Sequence, residues 1–309
     1  MTEPRESLVV AADEAWSRSE RPPWMERPTL LDRLVRGVIL VVVILIVLVP
    51  FISVLATSLA SDQDILQSGG LVLFPLHPTL KAYQNIFQNG VISHAIWVSV
   101  GITMLGTLVS VLLTTAMAYG LSRPFRGSRV FLLTALFTLL FVPGIVPSYL
   151  VVKQLGLLNN YASLIAPVAI NAFNLVVLRQ FFMDIPQELL DSARVDGAGV
   201  LRILMSIVLP LSKPALAVVS LFYAVAYWNA FFNALLYLNE PSSWPLQLIV
   251  RLYVLQGVGS GQLASESEPL VAQSVQMAVV VVAILPILVV YPFLQRYFTK
   301  GVLTGAIKG

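Results

Sequence analysis

Four acids crowd one short segment of the chain: Asp184, Glu188, Asp191 and Asp196. Around them stand Pro186, Leu189, Leu190, Ser192, Ala193, Arg194 and Gly197, and after them Arg202, Ile207, Leu209, Pro210, Lys213 and Pro214. The spacing suits a short capped helix that binds something better than it suits bond-making chemistry. Asp184 is placed to cap a helix, and Pro186 falls at its first turn. Glu188 lies near the positive end, where an acid is favoured. Leu189, Leu190 and Ala193 give a narrow apolar stripe, and Gly197 supplies the positive φ that ends a helix. An apolar run over 200–209 then meets Pro210, which stops or kinks it. Such a helix fits a groove on a partner. It equally fits a surface helix packed on its own bundle.

Other chemistries lack their residues. There is no cysteine, hence no disulfide, thiolate nucleophile or cysteine metal site. The two histidines, His77 and His94, are too far apart and too few for a metal cluster. No G-x-x-x-x-G-K-[ST] phosphate loop occurs; the glycines at 301, 305 and 309 have the wrong spacing. If the chain serves an ATP-driven process, the ATP is expected on another subunit.

The elements that hold this segment are apolar. Of 309 residues, 57% are hydrophobic and 11% charged, against about 45–50% and about 25% in soluble domains. Mean hydropathy is +0.84. These values exclude an ordinary soluble enzyme, a disordered chain and a nucleic-acid-binding domain. Six stretches lack Asp, Glu, Lys and Arg: 37–61, 82–122, 130–152, 154–178, 214–239 and 269–295. A crossing of the roughly 30 Å hydrocarbon layer takes about 20 apolar residues. Each stretch holds one, the second over 92–121, with a pair of spans there as the alternative. Residues 65–80 read as an exposed loop. The segment 1–36 reads as a flexible or surface-lying cytoplasmic tail, with Trp16 and Trp24 as candidate interfacial contacts. It is not a cleaved signal peptide, because a polar tail precedes an uncharged run longer than an h-region.

Counted by alternating sides, sixteen of the 19 Lys and Arg fall with the N-terminal tail; Lys81, Lys153 and Arg251 fall opposite. Positive residues mark the cytoplasmic side. The reading is an all-α membrane protein of six transmembrane helices, both termini cytoplasmic, with a spanning domain over 37–295 and a C-terminal tail over 296–309. All 16 acids lie outside the six spans. Ion-coupled transporters usually keep ionisable groups within them, so secondary transport is disfavoured.

Asp191-Ser192-Ala193-x3-Gly197-x9-Ile207-x-Leu209-Pro210 resembles the EAA motif of ABC importer permeases, E-A-A-x3-G-x9-I-x-L-P. The neighbouring Ile185-Pro186, Val195-Asp196-Gly197-Ala198 and Leu209–Leu216 are similar to the carbohydrate branch, the MalG-like subunits. So are Tyr227-Trp228-Asn229 through Asn233, and Phe293–Phe298 with Gly301, Gly305, Lys308 and Gly309. The first two EAA letters read Asp-Ser here, which keeps one charge with a shorter reach.

The resemblance implies a type I ABC importer permease fold and a non-catalytic subunit in a bacterial or archaeal cytoplasmic membrane. Its implied partners are a second permease, a cytoplasmic ATPase dimer carrying ATP and Mg, an extracytoplasmic solute-binding protein, a sugar and the lipid bilayer. Residues 184–214 become the coupling loop. Glu188, Leu189, Asp191, Ser192, Ala193, Arg194, Asp196, Gly197, Ile207, Leu209 and Pro210 are its expected ATPase-coupling set. Candidate substrate contacts are the uncharged polar and aromatic residues Asn171, Asn174, Tyr223, Tyr227, Trp228, Asn229 and Asn233. Amides hydrogen-bond sugar hydroxyls, and aromatic faces pack on sugar rings; interhelical hydrogen bonding is the plain alternative. Asn229 and Asn233, at i and i+4, are expected on one helix face. The lack of cations in the spans points to a neutral sugar. A glycerol phosphate ester, a stand-alone transporter or channel, and a membrane scaffold are the rival readings.

Overall fold

The computed structural model describes residues 30–88, 90–256 and 272–306. Residues 1–29, with Trp16 and Trp24, lie outside them, as do 257–271 and 307–309 with Lys308 and Gly309. Among the described residues the chain is helical and has no strand. In order the helices are α1 (Leu30–Ser58), α2 (Asp62–Ser68), α3 (Lys81–Gln88), α4 (Val91–Leu121), α5 (Ser128–Leu140) and α6 (Ile145–Gln154). They continue as α7 (Ala162–Ile165), α8 (Ala172–Met183), α9 (Gln187–Val195), α10 (Val200–Leu211) and α11 (Lys213–Trp228). The last are α12 (Phe232–Tyr237), α13 (Leu246–Arg251) and α14 (Ala272–Ala306).

The chain divides into two units at Ile52 and Ser53. The described part of the first is the start of α1, charged at Asp32, Arg33 and Arg36 and apolar on every side beyond Gly37, with all residues from Leu30 to Ile52 exposed. A helix with no polar face suits a membrane or a large core rather than water.

In the second unit one core joins α4, α8 and α11 to α9 and α10, around Ala118, Leu175, Leu178, Ile203, Val219 and Leu248. A second core gathers Ile86, Ile92, Trp228, Leu246, Ala278 and Val279. Lipid tails are as apolar as leucine, so contact area alone does not specify membrane packing; close approach and hydrogen bonds do. Both occur here. Gly106 of α4 lets the Tyr227 ring lie where a Cβ would sit 2.9 Å from three ring atoms. Ser110 Oγ and Tyr227 Oη are 2.7 Å apart, as are Thr114 Oγ1 and Tyr223 Oη. Trp228 Nε1 donates to the Ala283 carbonyl at 3.1 Å.

Among the described residues, three single helices are long and apolar enough to cross a membrane: α1, α4 and residues Gln273–Pro292 of α14. The single span over 92–121 coincides with α4, which leaves no room for a pair. The middle stretches are broken. Stretch 130–152 splits at 141–144, where Pro143 and Gly144 interrupt α5 and α6. Stretch 154–178 turns through Gly156 (φ 67°) and Asn159 (φ 57°), then bends 55° between 162–168 and α8. Stretch 214–239 is helical only to Trp228 before a break and the short α12. Counting each bent pair as one span gives up to five.

Of the expected loop 65–80, residues 65–68 instead complete α2, and the rest is mostly exposed but tied down. The Val72 amide donates to Thr57 Oγ1 at 2.9 Å, and the Thr79 amide to the Leu59 carbonyl at 2.7 Å. Asp64, buried, accepts the His77 amide at 2.9 Å and faces His77 Nδ1 at 3.1 Å. The backbone hydrogen bond from His77, ahead of burial acting the other way, holds the Asp64 carboxyl below the ordinary carboxylate range.

Candidate coupling loop and pathway cavity

Helix α9 is anchored on one side only. Leu190 is 7% exposed and sits in the main core, with Ala193 and Ala198 packed against it. Leu189 is 45% exposed and Val195 88%; Glu188, Asp191, Ser192 and Asp196 are also exposed. The apolar stripe of the sequence is therefore divided. Leu190 and Ala193 hold the helix down, and Leu189 stands free.

The helix end follows from Gly197. Its φ is +79°, its amide donates to the Arg194 carbonyl at 3.0 Å, and the Ala198 amide reaches the Ala193 carbonyl at 2.9 Å. This pair of bonds is the Schellman closure, which satisfies two of the last helical carbonyls. The helix start departs from expectation. Asp184 ends α8 instead of capping α9: its amide bonds the Gln180 carbonyl at 3.1 Å and its Oδ1 accepts from Gln180 Nε2 at 3.0 Å. Pro186 is the residue before the first turn, with no side-chain cap. Arg194 Nη1 lies 2.6 Å from Asp191 Oδ1, so both ends of that i, i+3 pair are engaged within the helix.

Beyond Gly199, α10 contains a π-helical turn over Leu204–Val208, in which the Leu209 amide reaches the Leu204 carbonyl. Pro210 has no N–H to offer the Ser206 carbonyl, which favours the wider turn. Ile207 and Leu209 pack half-buried on the core, and Pro210 is exposed. At the buried Ser212 the chain bends 83° into α11.

The loop is tied to α4 by groups that the sequence did not single out. Tyr119 Oη donates to the Val200 carbonyl at 3.1 Å. Arg123 lies over the Tyr119 ring at 4.4 Å and also donates to its hydroxyl. Arg179 Nε donates to the Leu121 carbonyl at 2.8 Å, at the end of α4. Spacing carries no signal for side-chain bonds to distant carbonyls.

Farther along α11 lies a cavity of about 500 Å³. Six of the seven substrate candidates line it: Asn171, Asn174, Tyr223, Tyr227, Asn229 and Asn233. Phe173, Phe222, Phe231 and Phe232 complete its aromatic wall. Trp228 does not; it is buried in the second core. Asn171 is the N-cap of α8, its Oδ1 accepting the Asn174 amide at 3.1 Å and its own amide donating to Tyr223 Oη at 2.9 Å. Asn229 and Asn233 line the cavity from either side of a helix interruption and not along one helix face, because α11 ends at Trp228. Asn229 Nδ2 is held by the Val225 carbonyl at 2.8 Å. Among the described residues, the wall carries no charged side chain.

Residues 110–304 match the family described as binding-protein-dependent transport system inner membrane component. The chain belongs to that family. The matched region contains the whole candidate coupling loop, 184–214, and all the cavity residues named above. The chain is 46% identical to the polygalacturonan/rhamnogalacturonan transport system permease protein YtcP of Bacillus subtilis, covering 91% of this chain and 99% of that protein. It is 42% identical to protein LplC of the same organism, over 85% and 90% of the two chains. A crystal structure of a bacterial ABC transporter involved in the import of the acidic polysaccharide alginate contains a chain that superimposes with a TM-score of 0.80. That chain is 30% identical and covers 90% of this one and all of its own length. This is a membrane permease of the ABC importer class, in its carbohydrate branch.

Proposed function

We propose that this chain is one of two unlike permease subunits of an ATP-driven oligosaccharide importer in the cytoplasmic membrane. The named substrates of its relatives, polygalacturonan and rhamnogalacturonan among them, support a saccharide cargo. Six spans with cytoplasmic termini remain our topology. The broken segments α5–α6 and α7–α8 serve as the third and fourth, and the one-sided distribution of Lys and Arg supports that orientation.

One observation carries the mechanism: α9 is fastened through Leu190 and left open along Glu188, Leu189, Asp191, Ser192, Val195 and Asp196. That edge docks in a cleft of a cytoplasmic ATPase dimer, which holds ATP and Mg. The Schellman closure and the Tyr119–Val200 bond stiffen the path from α9 to α4, and the bend at Ser212 passes displacement into α11. Because α11 also supplies the cavity wall, motion at the loop reshapes the cavity. A solute-binding protein delivers sugar from outside.

The test is reconstitution in proteoliposomes with a second permease, an ATPase pair and a sugar-loaded binding protein. Import and stimulated ATP hydrolysis should require every component. A chain that transports alone overturns the proposal.

A further inference from the structure

The absence of cations in the apolar stretches pointed to a neutral cargo, yet a cation stands beside the cavity. Arg251, the last residue of α13, places its guanidinium carbon 4.5 Å from the centroid of the Phe231 ring. Phe231 is itself a wall residue of the cavity. Arg251 is exposed and has no ion-pair partner among the described residues.

Topology does not account for it, since it is one of three cations on the cation-poor side. A guanidinium stacked on an aromatic face is held in place there. Its in-plane N–H groups then remain for a planar anion, and a carboxylate accepts them in a bidentate pair. The neighbouring wall offers aromatic rings for the apolar faces of sugars and amides for their hydroxyls.

We infer that Arg251, which stacks on the cavity residue Phe231 without itself lining the cavity, is a carboxylate-recognition residue for an acidic oligosaccharide of the kind named for the polygalacturonan relative. This rests on the cavity being part of the sugar pathway.

The experiment compares trigalacturonate with its methyl ester, which differs in charge but not in ring shape, in the reconstituted importer. The wild type should favour the acid. Arg251→Met should raise the apparent KM for the acid by roughly 10- to 100-fold, the worth of a charge-assisted hydrogen bond. Ester uptake should fall much less, because the ester keeps an acceptor and lacks only the charge, and ester that is still carried shows that the variant folds. Arg251→Lys should fall between the two. Equal losses for acid and ester, or no loss for either, overturn the role of Arg251. A wild type that carries the ester and rejects the acid overturns the acidic cargo but leaves the sugar importer standing. Uptake of neither by the wild type counts against both.

Discussion

The amide of Ala198 reaches back 2.9 Å to the carbonyl of Ala193 and closes the chain over Gly197. A Cβ at Gly197 would meet nothing within 4 Å, so conformation and not space demands glycine there. A non-glycine residue at positive φ costs about 1 kcal/mol or more, and asparagine the least. Coupled ATP hydrolysis should therefore decline in the order Gly197, Gly197→Asn, Gly197→Ala, Gly197→Val. Gly197→Pro should abolish it while membrane insertion is retained, because proline forbids that φ and removes the bond to Arg194. Wild-type hydrolysis in Gly197→Pro would reject the coupling role.

Leu190 and Leu189 are neighbours with opposite duties. Leu190→Ala opens a gap beneath α9 and should cost about 2–4 kcal/mol, read as a lower Tm in detergent. Leu189→Ala should leave Tm within about a degree and weaken ATPase binding instead. Equal effects of the two on Tm would mean that α9 has no free edge.

Gly106 and Tyr227 form a packed pair. Gly106→Ala forces a methyl group against the ring and should destabilise by about 1–3 kcal/mol. Adding Tyr227→Ala should recover most of that loss, giving a coupling energy well above additivity in a double-mutant cycle. Strict additivity would contradict the contact.

The Asp64–His77 bonds predict a pH response in 62–79. A carboxyl held below its ordinary value stabilises the fold above the unfolded pKa, and the contribution is lost as pH falls through the folded one. Protection from hydrogen exchange in this segment, taken relative to the unstructured chain, should hold at neutral and mildly acidic pH and drop below about pH 4. Asp64→Asn keeps an acceptor for the His77 amide but cannot titrate, so its protection should be flat over that range.

Where the chain runs apolar without interruption the spans were legible, as α1, α4 and α14 illustrate. The middle stretches were not. Freedom from charge says that a segment tolerates lipid, but Pro143-Gly144, Gly156 and the Asn171 cap decide where the helix stops. The loop was legible because Gly197 and Pro210 act locally on the backbone. The Asp184 cap was misread because its amide still completes α8. Asn229 and Asn233 do not share a helix face, because α11 ends at Trp228, and both line the cavity across that interruption. Trp228 looked equivalent to its neighbours, and only the Ala283 carbonyl reveals that it faces a core. A ladder of hydroxyls at Ser110 and Thr114 against Tyr227 and Tyr223 has matching i, i+4 spacing on both helices. That spacing is a usable signal for hydrogen-bonded membrane helices.

The chain has no cysteine, which permits a direct measurement of what α9 touches. Val195→Cys and Leu189→Cys each place one thiol on its open edge, with Leu190→Cys as the buried control. In the assembled importer a short bifunctional cross-linker should join the chain to the ATPase from the first two positions and not from the third, with a yield that changes on ATP binding. Transport-competent importer that shows no ATPase adduct from either exposed position would contradict the account.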